Sequence, residues 1–288
     1  MKLALGTVQF GLPYGIANQY GQVSPLEAKA IIQLATANGI DTIDTANTYG
    51  DSEVRLGQIG VQGWQIVSKL PEIPDDVQPL SWIEDAIRAT LHRLQIRSLY
   101  GVLLHRPMQL LGCRGEQIYQ SLRQMRRSGL VEKIGVSLYD PADLDVLCNH
   151  FQFDLVQVPF NILDRRLIDT GWLNRLTESG TEVHVRSIFL QGLLLMKSSD
   201  REEKFSRWSS HWYQWDGWLK DIGLSPLEAC LRYALSFPQI SKVIVGVDSA
   251  RQLQQIIEAS VGSLPDVPPD LSSIDVNLLN PANWAALT

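Results

Sequence analysis

The sequence predicts an α/β fold of the eight-stranded parallel kind, a (β/α)8 or TIM barrel. Three observations carry that expectation. Short strand-like runs alternate with helix-patterned segments along the whole chain, and eight such runs can be marked. The runs end on polar residues after mostly Val, Ile and Leu, as barrel strands do where chemistry sits at their C-terminal ends. The length, 288 residues, suits one barrel domain over residues 1–288 with extra loop and helix segments at the C-terminal face. A doubly wound sheet, the alternative, wants a G-x-G-x-x-G turn after the first strand, and "GTVQFGLPYG" does not supply one.

In chain order, strands are expected over 3–10, 41–46, 64–70, 99–105, 133–139, 155–161, 182–189 and 242–247. A helix is expected after Ser24, which can cap, with Pro25 in the first turn, Glu27 completing a capping box and Gly39 following the end. "SPLEACLRYALS" at 225–236 repeats that start signal, and further helices are read at 82–94, 116–129, 141–150 and 249–259. In "FSRWSSHWYQWDGWL", over 205–219, Trp208, Trp212, Trp215 and Trp218 recur at nearly helical intervals, which points to packing against the barrel. The Pro-rich "SLPDVPPD" reads as a linker into a C-terminal tail, 263–288 in all, lying across a barrel end.

A net charge of −6 argues against nucleic acid or an anionic membrane as the main partner. Arg123, Arg126 and Arg127 have helical spacing and read as a solvated face. Cys113, Cys148 and Cys230 form no CxxC pair and read as free thiols in a reducing compartment. The opening "MKLALGTVQFG" has too short an apolar run for a signal peptide, and a cytoplasmic location is expected. His92, His150, His184 and His211 lack metal-ligand spacing, so no metal is expected.

The strand ends offer Asp44, Lys69, His105, Ser137, Gln157 with Asn161, Ser187 and Gly246. Singly, each has an ordinary reading: Asp44 capping a loop, Tyr49 packing, Lys69 at the surface, His105 bonding a carbonyl. Jointly, at successive strand ends, they read as a catalytic constellation. The strings "GIDTIDTANTYGDSE", "VSKL", "LLHRP", "GVSLY", "QVPFN", "QGLL" and "VIVGVDSARQL" occur in an order that resembles the aldo-keto reductase family, from Leu3 to about Ile257. The resemblance implies a barrel that reduces an aldehyde or ketone, a small-molecule carbonyl substrate, with NADPH. It assigns catalysis to Asp44, Tyr49, Lys69 and His105. It places the cofactor against Thr7, Asp44, Ser137, Gln157, Arg186, Ser187, Gln191, Gly192, Leu193, Gly246, Asp248, Ser249 and Gln252.

The chemistry explains the choice of residues. A carbonyl must receive a hydride at carbon and a proton at oxygen, and the protein supplies the second. A tyrosine holds its proton at pH 7, and making it about two units more acidic takes roughly 2.7 kcal/mol. An ammonium at about 4 Å contributes about 4 kcal/mol at an effective dielectric near 20, so Lys69 suffices if Asp44 keeps it charged. His105 can orient the carbonyl or help relay the proton to it.

Four departures from the family pattern bear on the cofactor. Leu138 stands where an asparagine is common, Arg186 where a tyrosine usually stacks on nicotinamide, and Gln255–Ile256 where Glu–Asn is usual near adenine. Asp248 falls near a position often basic for the 2′-phosphate, with Arg251 as a compensating candidate, so NADH stands beside NADPH as a possible cofactor. Phe10, Tyr14, Phe160 and Trp284 are candidate cleft walls, and no hairpin precedes Leu3 to plug the barrel. Two other readings compete: a non-catalytic nicotinamide-binding regulatory barrel, and an aldolase using Lys69 as a Schiff-base nucleophile.

Overall fold

Residues 1–287 are described in the computed structural model of the chain. Its strands are β1 (Leu3–Gly6), β2 (Thr42–Asp44), β3 (Gln65–Leu70), β4 (Leu99–Leu104), β5 (Val131–Ser137), β6 (Leu155–Pro159), β7 (Glu182–Arg186) and β8 (Lys242–Gly246). All pair in parallel with their sequence neighbours, and β8 closes on β1 through Leu3–Val243 to Gly6–Gly246. The barrel is the expected one, with strands shorter at their C-terminal ends than the residue pattern suggests. β1 stops at Gly6 because the Thr7 amide turns to Asp44 O (3.0 Å) and Val8–Gly11 then wind into one helical turn.

The outer helices are α1 (Pro25–Ala37), α2 (Ser52–Ile59), α3 (Pro79–Leu94), α4 (Gly115–Arg127), α5 (Trp172–Glu178), α6 (Ser209–Ile222), α7 (Pro226–Leu235) and α8 (Ala250–Ala259). The expected helix over 141–150 is only the 3-10 turn Pro141–Asp143 running into Leu144–Leu147. The start signals of α1 and α7 differ in outcome. At α7, Ser225 and Glu228 form the reciprocal capping box. At α1, Ser24 accepts from the Glu27 amide, but the Glu27 carboxylate leaves the box and instead accepts from the amide of Ala250, 2.6 Å away. That cross-helix contact bears on the cofactor below.

Inside the barrel, Val67, Leu103 and Leu155 form an apolar layer. Because side chains alternate along a strand, Lys69, two residues beyond Val67, and Gln157, two beyond Leu155, point inward one layer higher. Below the apolar layer, ionic groups close the floor of the barrel. Glu182 Oε1 meets Lys133 Nζ at 2.8 Å and accepts from Tyr100 Oη at 2.8 Å, while Lys133 lies 4.8 Å over the Tyr100 ring. Burial works against the Glu182 charge, but the nearby His184 ring (3.6 Å) and the hydrogen bonds to Lys133 and Tyr100 outweigh it and lower the carboxyl to about 2. A depressed carboxylate stabilises the fold above its ordinary range and loses that contribution as pH falls through the folded value. The urea midpoint of Glu182→Gln is therefore expected below that of wild type at pH 7, with the gap vanishing as pH drops from about 4.5 to about 2.

The tryptophans of 205–219 behave as packing groups. Trp208, Trp212, Trp215 and Trp218 are all buried, Trp212 donates to Phe205 O and Trp208 to Asp275. The tail crosses the C-terminal face: Leu278, Leu279 and Trp284 are buried, and Trp284 meets Phe205 edge-on at 5.0 Å. Phe10, Phe160 and Trp284 belong to this packing and not to a cleft wall. All three cysteines are free. Among the described residues no helix is long and apolar enough to cross a membrane.

Candidate active site

At the C-terminal end of the barrel a cavity of about 660 Å³ runs from Tyr49 and His105 at one end to Asp248 and Gln252 at the other. Its catalytic end is set by the loop between β2 and α2. The Thr45 amide bonds Val67 O (2.9 Å), Asn47 bonds Lys69 O (3.2 Å), and Thr90 donates to the Asn47 side chain (3.0 Å). Ser52 donates to Thr7 O at 2.9 Å. Gly11 lies so close that a Cβ there would stand 1.7 Å from Tyr49 O. The chain thus places an aspartate, an asparagine and a tyrosine together because each ties or uses the turn leaving the strand.

The four residues assigned to catalysis from the sequence meet there. Lys69, fully buried, donates to both Asp44 oxygens at 2.8 and 2.7 Å and to Thr45 O at 3.1 Å. Its Nζ also reaches Tyr49 Oη at 3.4 Å. Burial opposes the ammonium, but the Asp44 charge, with Tyr49 and the Asp44 hydrogen bond behind it, outweighs burial and holds the Lys69 pKa above the ordinary lysine value. His105 shows the reverse balance. Burial, then the positive charges of Lys69 and Arg186, lower it to about 4 against the pull of Asp44. At pH 7 it is a neutral imidazole.

A polar chain supports the pair from behind. Ser137 donates to Gln157 Oε1 (3.0 Å), and Gln157 Nε2 donates to Asp44 Oδ1 (2.6 Å). Gln157 is fully buried and does not line the cavity, so in this structure it orients Asp44, whereas Ser137 reaches the cavity wall. Glu53, buried in the first turn of α2, accepts from Ser68 Oγ (2.7 Å) and Arg93 Nε (2.8 Å) and so clamps the residue preceding Lys69. The sequence gives no warning of that role beyond the S-E pair that closes its motif.

The remaining assigned residues divide. Thr7, Arg186, Ser187, Gln191, Gly192, Gly246, Asp248 and Gln252 line the cavity. Leu193 is buried in the core, and Ser249 is spent capping α8 through the Gln252 amide at 3.2 Å. Leu138 is core as well, so the departure there does not alter the cavity wall, but its carbonyl accepts from Arg186 at 2.8 Å. Gln9, which the sequence reading passed over, lines the cavity with its buried Oε1 unpartnered. Tyr14 is the one cleft-wall candidate that does line it, and its hydroxyl accepts from Gln191 at 3.1 Å.

The loop after β7 is backbone-strained. Ser187, Leu190 and Gln191 all have positive φ (61°, 48° and 54°), a conformation that costs non-glycine residues of order 1–3 kcal/mol each. Next to them, Gly192 at φ 93° approaches Ala17 so closely that a Cβ would lie 2.6 Å from that methyl. The loops after β1 and β7 therefore meet across the mouth, with no room for a side chain at the crossing.

An elongated cavity with a phenol, a charge-held ammonium and a neutral imidazole at one end, and an orphaned buried acceptor farther along, fits a long polar cofactor and a small reactant. Fold and site together define a barrel oxidoreductase. The model of the aldo/keto reductase family matches residues 2–267, and the chain belongs to that family, whose members carry out nicotinamide-dependent carbonyl reduction. The chain is 24% identical to D-threo-aldose 1-dehydrogenase from Pseudomonas sp, over 91% of this chain and 92% of that one. It is 32% identical to the chloroplastic pyridoxal reductase of Arabidopsis thaliana over 39% of this chain and 35% of that one. Among solved structures, the aldo-keto reductase AKR11C1 from Bacillus halodurans in its holo form shares the fold with a TM-score of 0.70 at 18% identity, covering 92% of this chain and 88% of that one. The glycerol dehydrogenase AKR11B4 from Gluconobacter oxydans does so at 0.69 and 18%, with coverage of 92% and 88%.

Proposed function

We propose that the protein reduces an aldehyde or ketone to an alcohol, with Tyr49 as proton donor, and that NADH suits its cavity better than NADPH. The observation that carries the first part is the Lys69 ammonium 3.4 Å from the Tyr49 hydroxyl, itself clamped by Asp44. A reduced nicotinamide supplies, when bound, the hydride that the carbonyl carbon accepts. Tyr49 gives its proton to the carbonyl oxygen, and Lys69 stabilises the phenolate left behind until solvent restores the proton. His105, neutral at pH 7, orients the same oxygen by a hydrogen bond and does not protonate it. Lys69 held charged and buried is a poor amine nucleophile, which disfavours the Schiff-base aldolase.

The dinucleotide choice rests on the far end of the cavity. A helix N-terminus attracts phosphate through its free amides, but at α8 the Ala250 amide is already taken by Glu27 and the Gln252 amide by Ser249. Asp248 stands beside them, held by Asn18 at 3.3 Å. Arg251 is exposed and makes no ion pair with Asp248 among the described residues. A 2′-phosphate at this end would face Asp248, with the Glu27 carboxylate behind on the Ala250 amide, and both would repel it, whereas the plain ribose hydroxyls of NADH could donate to Asp248. Titration against tryptophan fluorescence is expected to show NADH binding at least about 10-fold tighter than NADPH, and Glu27→Gln is expected to narrow that gap several-fold. Equal affinities in the wild type would overturn the NADH assignment, and no binding of either would overturn the reductase. The curated relatives named for a D-threo-aldose and for pyridoxal support a small carbonyl compound as substrate. Free thiols support a reducing, cytoplasmic setting.

A further inference from the structure

The charges that line the catalytic cavity do not balance locally. Lys69 is neutralised by Asp44 at 2.7 Å. Asp248 lies at the opposite end, engaged by Asn18. Arg186 is the remaining cation of the wall, and among the described residues it has no carboxylate partner. Its contacts are all neutral: Nη2 donates to Leu138 O at 2.8 Å, Nη1 to Ser187 Oγ at 3.2 Å, and the guanidinium lies 4.7 Å from the Tyr139 ring centroid. Those contacts aim the group and leave its charge uncompensated. Of its five N–H donors, these bonds engage one on each terminal nitrogen.

We propose that the substrate carries a carboxylate, and that Arg186 pairs with it while the carbonyl of the same molecule meets Tyr49 and His105. The proposal rests on the reductase reading of the site. Position supports it: Arg186 ends β7 on the same cavity wall as Ser137 and Tyr139, and its charge is among those felt by the His105 ring. The nicotinamide ring, neutral when reduced and positive when oxidised, can stack on this guanidinium in its neutral form but offers it no anion to pair with. A carboxylate matches the planar fork of an arginine with two parallel hydrogen bonds. The wall beyond, with Leu12 and Tyr14, leaves apolar room for the short carbon chain joining the two functions.

Two measurements test it. The first titrates the NADH-saturated protein with butyrate and with butyramide, which differ in charge and barely in shape. Wild type is expected to bind butyrate about 10- to 100-fold more tightly, the range of hydrogen bonds to a charged group. Arg186→Met is expected to erase that ratio and Arg186→Lys to keep part of it. The second compares kcat/KM for succinic semialdehyde and butanal, where the ratio is expected to fall by a similar factor in Arg186→Met. A preference that survives in Arg186→Met overturns the proposal, as does equal binding of the two probes to wild type. So does an unmoved ratio accompanied by weakened NADH binding, which would assign Arg186 to the dinucleotide. Turnover of butanal with no carboxylate preference defeats this proposal and leaves the reductase standing. An Arg186-dependent butyrate preference without turnover of any carbonyl does the opposite.

Discussion

Tyr49→Phe is expected to lower kcat for carbonyl reduction by about 100- to 10,000-fold, the usual contribution of a positioned general acid. The change removes one oxygen and keeps the ring, whose centroid lies 5.0 Å from Lys69 Nζ. NADH affinity, read by tryptophan fluorescence, is expected to stay within about twofold of wild type. No neighbour can take over at neutral pH. Lys69 is committed to Asp44 and Thr45, and His105, lowered to about 4, has no proton to give as an acid at pH 7. The same value makes a sharper prediction. Residual activity of Tyr49→Phe should rise as pH falls toward about 4, because His105 then gains a proton it can donate. An active Tyr49→Phe enzyme at pH 7 would remove tyrosine from the acid role altogether.

How much of this was legible in the residues follows the range of the forces involved. Strand positions and the inward alternation that carries Lys69 and His105 are local, and the apolar runs give them. Strand ends are less legible: after Gly6 and Arg186 the backbone bonds across to other elements, Thr7 to Asp44 and Phe160 to Arg186, and no run of side chains announces that. The tryptophan spacing in α6 gave burial correctly because a helix repeats its faces. Contacts across the fold were invisible. Glu27 sits in a sound capping-box sequence, yet α8 offers a better-placed amide 223 residues away. The family resemblance implies a cofactor contact for Gln157, and only the closed barrel shows its side chain 2.6 Å from Asp44. The uncompensated charge of Arg186 is a statement about every neighbour at once, and the sequence cannot make it.

Breaking the Asp44–Lys69 pair should separate stability from activity. Asp44→Asn leaves a buried ammonium facing an uncharged amide, and the simplest relief is for Lys69 to lose its proton. Breaking a buried pair from one side costs about 3–5 kcal/mol, which in a chain of this size corresponds to a Tm lower by roughly 10 °C. Turnover should fall as well, since a neutral amine does little for a phenolate 3.4 Å away. Lys69→Met fails in mirror image, leaving the carboxylate with Gln157 as its remaining side-chain donor. The double variant Asp44→Leu/Lys69→Met removes both charges together. It should be more stable than either single variant, short of wild type by about the 1–3 kcal/mol that an unpaired Gln157 amide costs, and it should be inactive. If melting curves placed the double variant below both singles, the two charges would not be compensating one another. If Asp44→Asn kept its turnover, the ammonium would not be what makes the phenol a proton donor.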